Sequence, residues 1–154
     1  MKDAMEVLLT RRSIRNFNDK SIPEDVLNKI LEAGTYAPTA MGMQKPIIIA
    51  ITDKKVRDEV LRENAKIMGR EGTDPFYGAP AAAVVLTDTA LAGEENGRCD
   101  GALAMGNLMN AAASVGVSSC WINRMKETFE RPEGRALLRA WGLPETMMGV
   151  GACI

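Results

Sequence analysis

Three arginines lie close together near the start of the chain. Arg11, Arg12 and Arg15 fall within five residues of one another, with Ser13 between them. Guanidinium groups donate paired hydrogen bonds to phosphate or carboxylate oxygens, and a hydroxyl adds one more donor. The cluster therefore predicts an anion-binding site, although a solvated basic turn is the commoner explanation of this spacing taken alone.

A second candidate is the loop of residues 37–44, which precedes a predicted strand. It combines a rigid proline, a hydroxyl, two methionines and an amide side chain that both donates and accepts hydrogen bonds. Such a loop can place its backbone amides against a flat polar heterocycle. The alternative is an ordinary connection whose methionines fill a gap in the core.

The third candidate is residues 116–123, where small residues precede Trp121 in a predicted strand. A tryptophan in this position is typical of a core strand with one large anchor, and that is the simpler interpretation of this segment alone.

The chain has no histidine, which excludes Ser-His-Asp and Cys-His catalysis and removes the commonest metal ligand. Its cysteines, Cys99, Cys120 and Cys153, are odd in number, widely spaced and set in apolar stretches. This pattern differs from a disulfide framework or a thiolate metal site, so we expect reduced core thiols and no metal.

Four segments, in this order, resemble the landmarks of the nitroreductase family. They are Arg11-Arg12-Ser13-Ile14-Arg15-Asn16-Phe17, the loop of residues 37–44, Gly78-Ala79-Pro80 and residues 116–122. Members are flavoenzymes that bind FMN at the interface of a homodimer. The resemblance implies an FMN-dependent oxidoreductase that uses NADH or NADPH. It would reduce nitroaromatics, quinones or a similar flat acceptor by a ping-pong mechanism.

The resemblance also implies a role for individual residues. Arg11, Arg12 and Ser13 would hold the phosphate and ribityl chain of FMN, and Arg15 would lie near the pyrimidine edge of its ring. Asn64 would match a family amide that touches the pyrimidine. Main-chain groups around Cys120, Trp121 and Ile122 would line the redox face. The residues expected to reach the flavin from the other subunit are Pro38, Thr39, Ala40, Met41 and Gln44. No catalytic side chain is expected, because the flavin carries the redox step.

Two positions depart from the family pattern. Gly42 stands where an asparagine is usual, and Lys45 separates Gln44 from Pro46. The chain also stops before the basic residue that completes the phosphate site in many members. One alternative is therefore a flavin-binding member with little or no turnover. Another is a flavin-free interaction domain that dimerises through a helix of small residues at 100–116.

The composition predicts one soluble globular domain covering residues 1–154. Apolar residues make up 46% of the 154-residue chain and charged residues 25%, and the net charge is −1. Balanced charge gives no field for nucleic acid or an anionic membrane. The apolar runs are too short to span a bilayer, and the N-terminus lacks the apolar core of a signal peptide. We therefore expect a cytoplasmic protein.

Hydrophobic periodicity predicts the element order α-α-β-α-β-α-β-α-β. Asp3, Ser21 and Asp53 are the expected helix caps. Predicted strands cover residues 47–52, 81–87, 117–122 and 147–154, and the helix at 100–116 should be buried on most faces. Since the chain ends inside an apolar run, we expect either a tail beyond it or a covering partner. The fold class is α+β in layers, with helices flanking a central mixed sheet of about four strands, nitroreductase-like and homodimeric.

Overall fold

Helices lie on both faces of a four-stranded sheet in the computed structural model, which describes residues 3–154. The strands are β1 (Pro46–Ile51), β2 (Ala82–Asp88), β3 (Trp121–Ile122) and β4 (Met147–Cys153). The helices are α1 (Ala4–Thr10), α2 (Glu24–Thr35), α3 (Lys54–Ile67), α4 (Thr89–Ala92), α5 (Glu94–Ser114), α6 (Met125–Glu130) and α7 (Pro132–Ala140). The layered α+β class and the number of strands are confirmed.

The strand order is β1-β2-β4-β3, and all three ladders in the described chain are antiparallel. A mixed sheet was expected, but the parallel pairing here is a single bridge between Ser13 and Ser119. The prediction of a mixed sheet was therefore wrong, since the three strand pairs that form ladders are antiparallel. Periodicity along the chain detects strands but carries no information about which neighbour each strand pairs with.

Both faces of the sheet are covered, because alternate residues of a strand point to opposite sides. Val84 and Leu86 of β2 face a core that includes Phe129 of α6 and residues of α3 and α7. Val85 faces a second core, built with α2 and with Leu108 of α5. This double cover explains why β2 and β4 are continuous apolar runs.

Glycine allows the closest approaches to the sheet. A Cβ at Gly149 of β4 would lie 2.2 Å from the carbonyl oxygen of Met125. A Cβ at Gly101 of α5 would lie 2.5 Å from the side chain of Val150. These two glycines let α6 and α5 pack directly on opposite faces of the same strand.

The helix caps are only partly as predicted. Asp3 and Asp53 accept hydrogen bonds from the first turns of α1 and α3, which confirms both caps. The Ser21 cap is wrong, because α2 begins after Pro23 and has no side-chain cap. Proline with a fixed φ already prepares the first turn, so no capping side chain is needed.

Several element boundaries also differ from the prediction. α5 begins at Glu94, where two acidic residues favour a helix N-terminus, and the third strand shortens to Trp121–Ile122. α4 and α6 were not predicted. Cys99 is exposed rather than in the core, and Leu103 on α5 is also exposed, so this helix keeps one open face. Within residues 3–154, no helix is both long and apolar enough to cross a bilayer.

Candidate functional site

The arginine segment and the third candidate segment meet in space. Ser13 forms a parallel bridge with Ser119, and the backbone N–H of Ile14 donates to the carbonyl oxygen of Ser119 at 3.1 Å. A groove of about 290 Å³ follows this junction. It is lined by Thr10, Arg11, Arg12, Ile14, Ala113, Gly116, Val117, Ser118 and Ser119. Two of the three sequence candidates therefore form one site.

Two polar side chains at this groove lack oxygen or nitrogen partners. The Nη1 atom of Arg11 is buried without a hydrogen-bond partner. The hydroxyl of Ser119, a residue that is 4% exposed, has only the thiol of Cys153 as a weak hydrogen-bond neighbour. A buried polar group without a partner costs about 1–3 kcal/mol. Both groups can donate hydrogen bonds, so the groove fits an anionic or oxygen-rich ligand that would satisfy them.

The neighbouring residues of the arginine cluster lie at the surface. Arg12 is exposed, and its Nη1 donates to the carbonyl oxygens of Leu9 at 3.1 Å and Arg11 at 2.8 Å. These bonds close the C-terminal end of α1. Ser13 and Arg15 are exposed on the same segment. Arg11 is therefore the cation turned inward, while Arg12 and Arg15 face solvent.

Cys153 lies beneath the groove. Burial raises the pKa of its thiol to about 12, although the hydroxyl of Ser119 and the charge of Arg11 oppose this rise. The thiol is therefore protonated and acts as a packing group. Cys120 is buried in the core on the opposite side of the sheet, which agrees with reduced thiols at these two positions.

Backbone pairing fixes the segment around Trp121. The backbone groups of Cys120 and Ile154 exchange two hydrogen bonds, each 3.0 Å long, next to the β3–β4 ladder. The indole of Trp121 lies over Gly151, where a Cβ would come within 2.8 Å of the ring. Ile122 is buried in the core. This segment is thus a rigid edge of the sheet beside the groove.

The loop of residues 37–44 is folded tightly onto itself. It contains a 3₁₀ turn at Ala40–Gly42, and the N–H of Gln44 donates to the hydroxyl of Thr39 at 2.9 Å. Met41 and Gln44 have φ values of 54° and 49°, which non-glycine residues seldom adopt. Pro38 is exposed, and Met41 is 86% exposed.

Both departures from the family pattern have a structural counterpart in or beside this loop. Gly42 has a φ of +64°, so the position requires a residue that tolerates the left-handed region. The Nζ of Lys45 donates to the carbonyl oxygen of Leu91, which ties the end of the loop to α4. Lys45 is thus engaged in holding the loop.

Within the described part of one chain, this loop does not join the Arg11 groove. None of the loop residues lines the groove, and no hydrogen bond connects the two. The structure therefore brings together the first and third candidate segments but leaves the second separate.

Asn64 lies inside the core, fully buried. Its Nδ2 donates to the carbonyl oxygen of Asn123 at 2.8 Å and to the hydroxyl of Thr128 at 3.4 Å, and its Oδ1 has no partner. The side chain thereby anchors the residue that follows β3 to helix α3. Asn64 therefore lies next to the Trp121 segment but is buried below the protein surface.

Sequence reasoning missed two residues that shape these loops. Ser119 was inside a candidate segment but was not singled out, and Asp100 was regarded only as the start of a helix. The N–H of Ala40 donates to Oδ1 of Asp100 at 2.9 Å. A carboxylate in a helix of otherwise small residues was the signal that could have identified Asp100.

In residues 3–154, no group of three His, Cys, Asp or Glu side chains could hold a metal ion.

The fold agrees with comparison to known proteins. The family model described as the nitroreductase family matches residues 8–153 of this chain. The chain therefore belongs to the nitroreductase family.

Individual relatives support this assignment. A nitroreductase of Bacteroides fragilis, solved with bound FMN, superposes with a TM-score of 0.88 at 32% identity, covering 99% of this chain and 87% of that one. An Archaeoglobus fulgidus protein, provisionally named an NADH dehydrogenase/NAD(P)H nitroreductase, is 30% identical over 153 residues, covering 96% of this chain and 81% of that protein. A Desulfitobacterium hafniense nitroreductase with bound FMN shares the fold, with a TM-score of 0.86 at 23% identity over 100% of this chain and 88% of that one.

Proposed function

We propose that this protein is an FMN-dependent oxidoreductase that uses NADH or NADPH to reduce a nitroaromatic, a quinone or a similar flat acceptor by a ping-pong mechanism. The observation that carries the proposal is the unpartnered donor Arg11 Nη1 in one groove with the Ser119 hydroxyl, which has no oxygen or nitrogen partner. Phosphate and ribityl oxygens are acceptors that would satisfy both groups. The FMN-bound relative in Bacteroides fragilis supports the choice of ligand.

The arginine segment would hold the phosphate end of FMN. Arg11 would donate from within the groove, and Arg12 and Ser13 would add donors from the surface. Arg12 would exchange its present bonds to Leu9 and Arg11 for bonds to the ligand. Arg15 would place a permanent positive charge at the pyrimidine edge of the flavin ring.

The sheet edge would support the flavin ring. Bound FMN would supply the redox chemistry here, the transfer of reducing equivalents from a nicotinamide to an acceptor on the same face. Main-chain groups around Cys120, Trp121 and Ile122 would orient the ring, because backbone pairing with Ile154 already fixes this segment. This scheme needs no titrating base, which agrees with a chain that has no histidine.

Asn64 would act from beneath this edge. A direct contact with the pyrimidine would require its amide to leave both Asn123 and Thr128. We therefore assign Asn64 to the site through the Asn123 carbonyl that it holds.

A homodimer would complete the site. The residues expected from the other subunit, Pro38, Thr39, Ala40, Met41 and Gln44, lie in a loop that does not join the groove of its own chain. Two-fold pairing brings the loop of each subunit to the groove of the other. Exposed apolar side chains on α1 and α5, Leu8, Leu9 and Leu103, supply the surface for such pairing.

An absorbance experiment tests the proposed function. Purified protein reconstituted with FMN should retain the flavin through gel filtration, and anaerobic NADH or NADPH should bleach its visible absorbance. Addition of a quinone or a nitroaromatic should then restore the absorbance. Bound flavin that stays oxidised would instead favour a member with little or no turnover, the alternative raised by Gly42 and Lys45. Protein that takes up no FMN would overturn both.

A further inference from the structure

A buried carboxylate on α5 holds the loop that is separate from the groove. Asp100 is 4% exposed, and its Oδ1 accepts the backbone N–H of Ala40 at 2.9 Å. Ala40 begins the 3₁₀ turn, so this N–H has no acceptor within the turn itself. The other carboxylate oxygen, Oδ2, has no hydrogen-bond partner within residues 3–154. The interaction between Asp100 and the loop therefore depends on Oδ1.

The loop needs such an external support. Met41 adopts φ 54° immediately after the residue that Asp100 holds, and Gln44 adopts φ 49°. These conformations are strained for non-glycine residues and persist only where the surroundings impose them. The side chain of Met41 is 86% exposed, so packing of that side chain does not impose its conformation. The loop backbone is held instead by the hydrogen bonds that Asp100 and the Thr39 hydroxyl accept from it, together with the two hydrogen bonds within the turn itself.

We propose that Asp100 is a positioning residue of the flavin site. It fixes the backbone of residues 39–44 in the shape that meets the flavin of the other subunit. The inference rests on the proposed function, since the loop is assigned to FMN there. Asp100 itself need not touch the cofactor, because it acts through the Ala40 N–H.

Two variants at Asp100 separate its hydrogen bond from its charge. Asp100→Ala removes the acceptor, and we expect the Kd for FMN to rise about tenfold, which corresponds to about 1.4 kcal/mol. Asp100→Asn keeps an oxygen for the Ala40 N–H and replaces only the atom that has no partner. We expect this variant to bind FMN within about twofold of the wild type, because the bond is retained.

Amide hydrogen exchange on the FMN-free protein reports the loop directly. Exchange in residues 39–44 should be faster in Asp100→Ala than in the wild type, and close to wild type in Asp100→Asn. This measurement does not depend on activity or on bound flavin.

Asn107 provides a matched control on the same helix. Its Nδ2 donates to the carbonyl oxygen of Ala33 at 3.0 Å, which ties α5 to the end of α2 and not to the loop. Asn107→Ala should lower the melting temperature as Asp100→Ala does, yet leave the Kd for FMN unchanged. This comparison separates positioning of the loop from general loss of stability.

Ala40→Pro removes the backbone N–H that donates to Asp100. This variant tests the same hydrogen bond if Asp100→Ala does not fold. Proline is accepted at the first position of a helical turn, and Thr39 already has the extended conformation that a following proline requires. Ala40→Pro should weaken FMN binding, and the double variant should bind no more weakly than the weaker single one.

The outcomes are distinguishable. An unchanged Kd in Asp100→Ala, an Asp100→Asn variant as weak as Asp100→Ala, or an equal loss in Asn107→Ala would overturn the positioning role while the proposed function stands. Wild-type protein that binds no FMN would overturn the proposed function and this role in the flavin site together.

Discussion

Arg11 and Arg15 differ in their surroundings, and this separates their expected contributions. Arg11 turns inward at the groove that it shares with Ser119, where a ligand would satisfy its unpartnered Nη1. Arg15 is exposed and keeps its charge at the surface of the same segment. Arg11 should therefore govern affinity for the phosphate end, whereas Arg15 should influence the electrostatics of the ring.

Replacing Arg15 by alanine tests that electrostatic role. Reduction leaves negative charge at the pyrimidine edge of a flavin, and a fixed guanidinium there stabilises it. We expect Arg15→Ala to lower the reduction potential of the bound flavin and to weaken FMN binding. A spectroelectrochemical titration measures the potential.

Arg139→Ala is the matched control for this experiment. Arg139 is an exposed guanidinium on α7 paired with Glu145, away from the groove lining. Its removal should leave the flavin potential unchanged. If Arg15→Ala also leaves the potential unchanged, Arg15 does not have this role.

At the scale of elements, a buried carboxylate connects α3 to the start of α7. Glu63 is 5% exposed and accepts hydrogen bonds from Lys66 at 2.6 Å and from Arg131 at 2.7 Å. Burial alone would raise the pKa of Glu63, but these two cationic donors outweigh it and lower the pKa below its ordinary value of 4.5. The pair of bonds stabilises the packing beneath Asn64, which is the next residue on α3.

The stability contributed by Glu63 should depend on pH. A carboxyl group whose pKa is lower in the folded than in the unfolded state stabilises the folded protein. This contribution is fully present at pH values above the unfolded pKa of about 4.5. This contribution is lost as the pH falls through the folded pKa. Glu63→Gln should therefore lower the free energy of unfolding by about 2 kcal/mol at pH 7 and by less at about pH 3.5. Urea denaturation at the two pH values measures the difference.

An exposed ion pair serves as the comparison. Glu94 pairs with Lys126 at the surface, and such pairs contribute little to stability. Glu94→Gln should change the free energy of unfolding much less than Glu63→Gln at pH 7. An effect of Glu63→Gln that stays constant down to about pH 3.5 would contradict the assigned role.

At the scale of the whole molecule, the loop of residues 37–44 and the Arg11 groove lie apart within one chain. Helix α1 packs on α5, and both present exposed leucines. In the proposed homodimer these side chains lie between the subunits. On this proposal, a single chain would hold two half-sites, and only the assembled protein would hold a complete one.

Leu103→Glu tests the assembly. Leu103 is 49% exposed on α5, so a charge there is tolerated in the single chain but disfavours an apolar interface. We expect light scattering to show a dimer for the wild type and a monomer for Leu103→Glu, with FMN affinity lost in the variant.

Ala136→Glu is the control for this variant. Ala136 is exposed on α7, which packs against the opposite face of the sheet. The Ala136→Glu variant should remain dimeric and bind FMN as the wild type does. A wild-type monomer at micromolar concentration would contradict both the assembly and the shared site.

The sequence by itself determined the local features. Apolar periodicity located the four strands, Asp3 and Asp53 marked two helix starts, and the ordered motifs indicated the family that the comparison confirmed. These features depend on neighbouring residues, so a short window contains the information. Even Gly42 is locally explained, because its left-handed backbone favours glycine.

Only the tertiary structure decided which distant groups meet. Arg11 and Ser119 share a groove, and Asp100 holds Ala40 across 60 residues of sequence. The antiparallel order β1-β2-β4-β3 and the burial of Asn64 likewise follow from packing of the whole chain. Such contacts depend on how helices and strands fill the space between them, and propensity along the chain does not encode that arrangement.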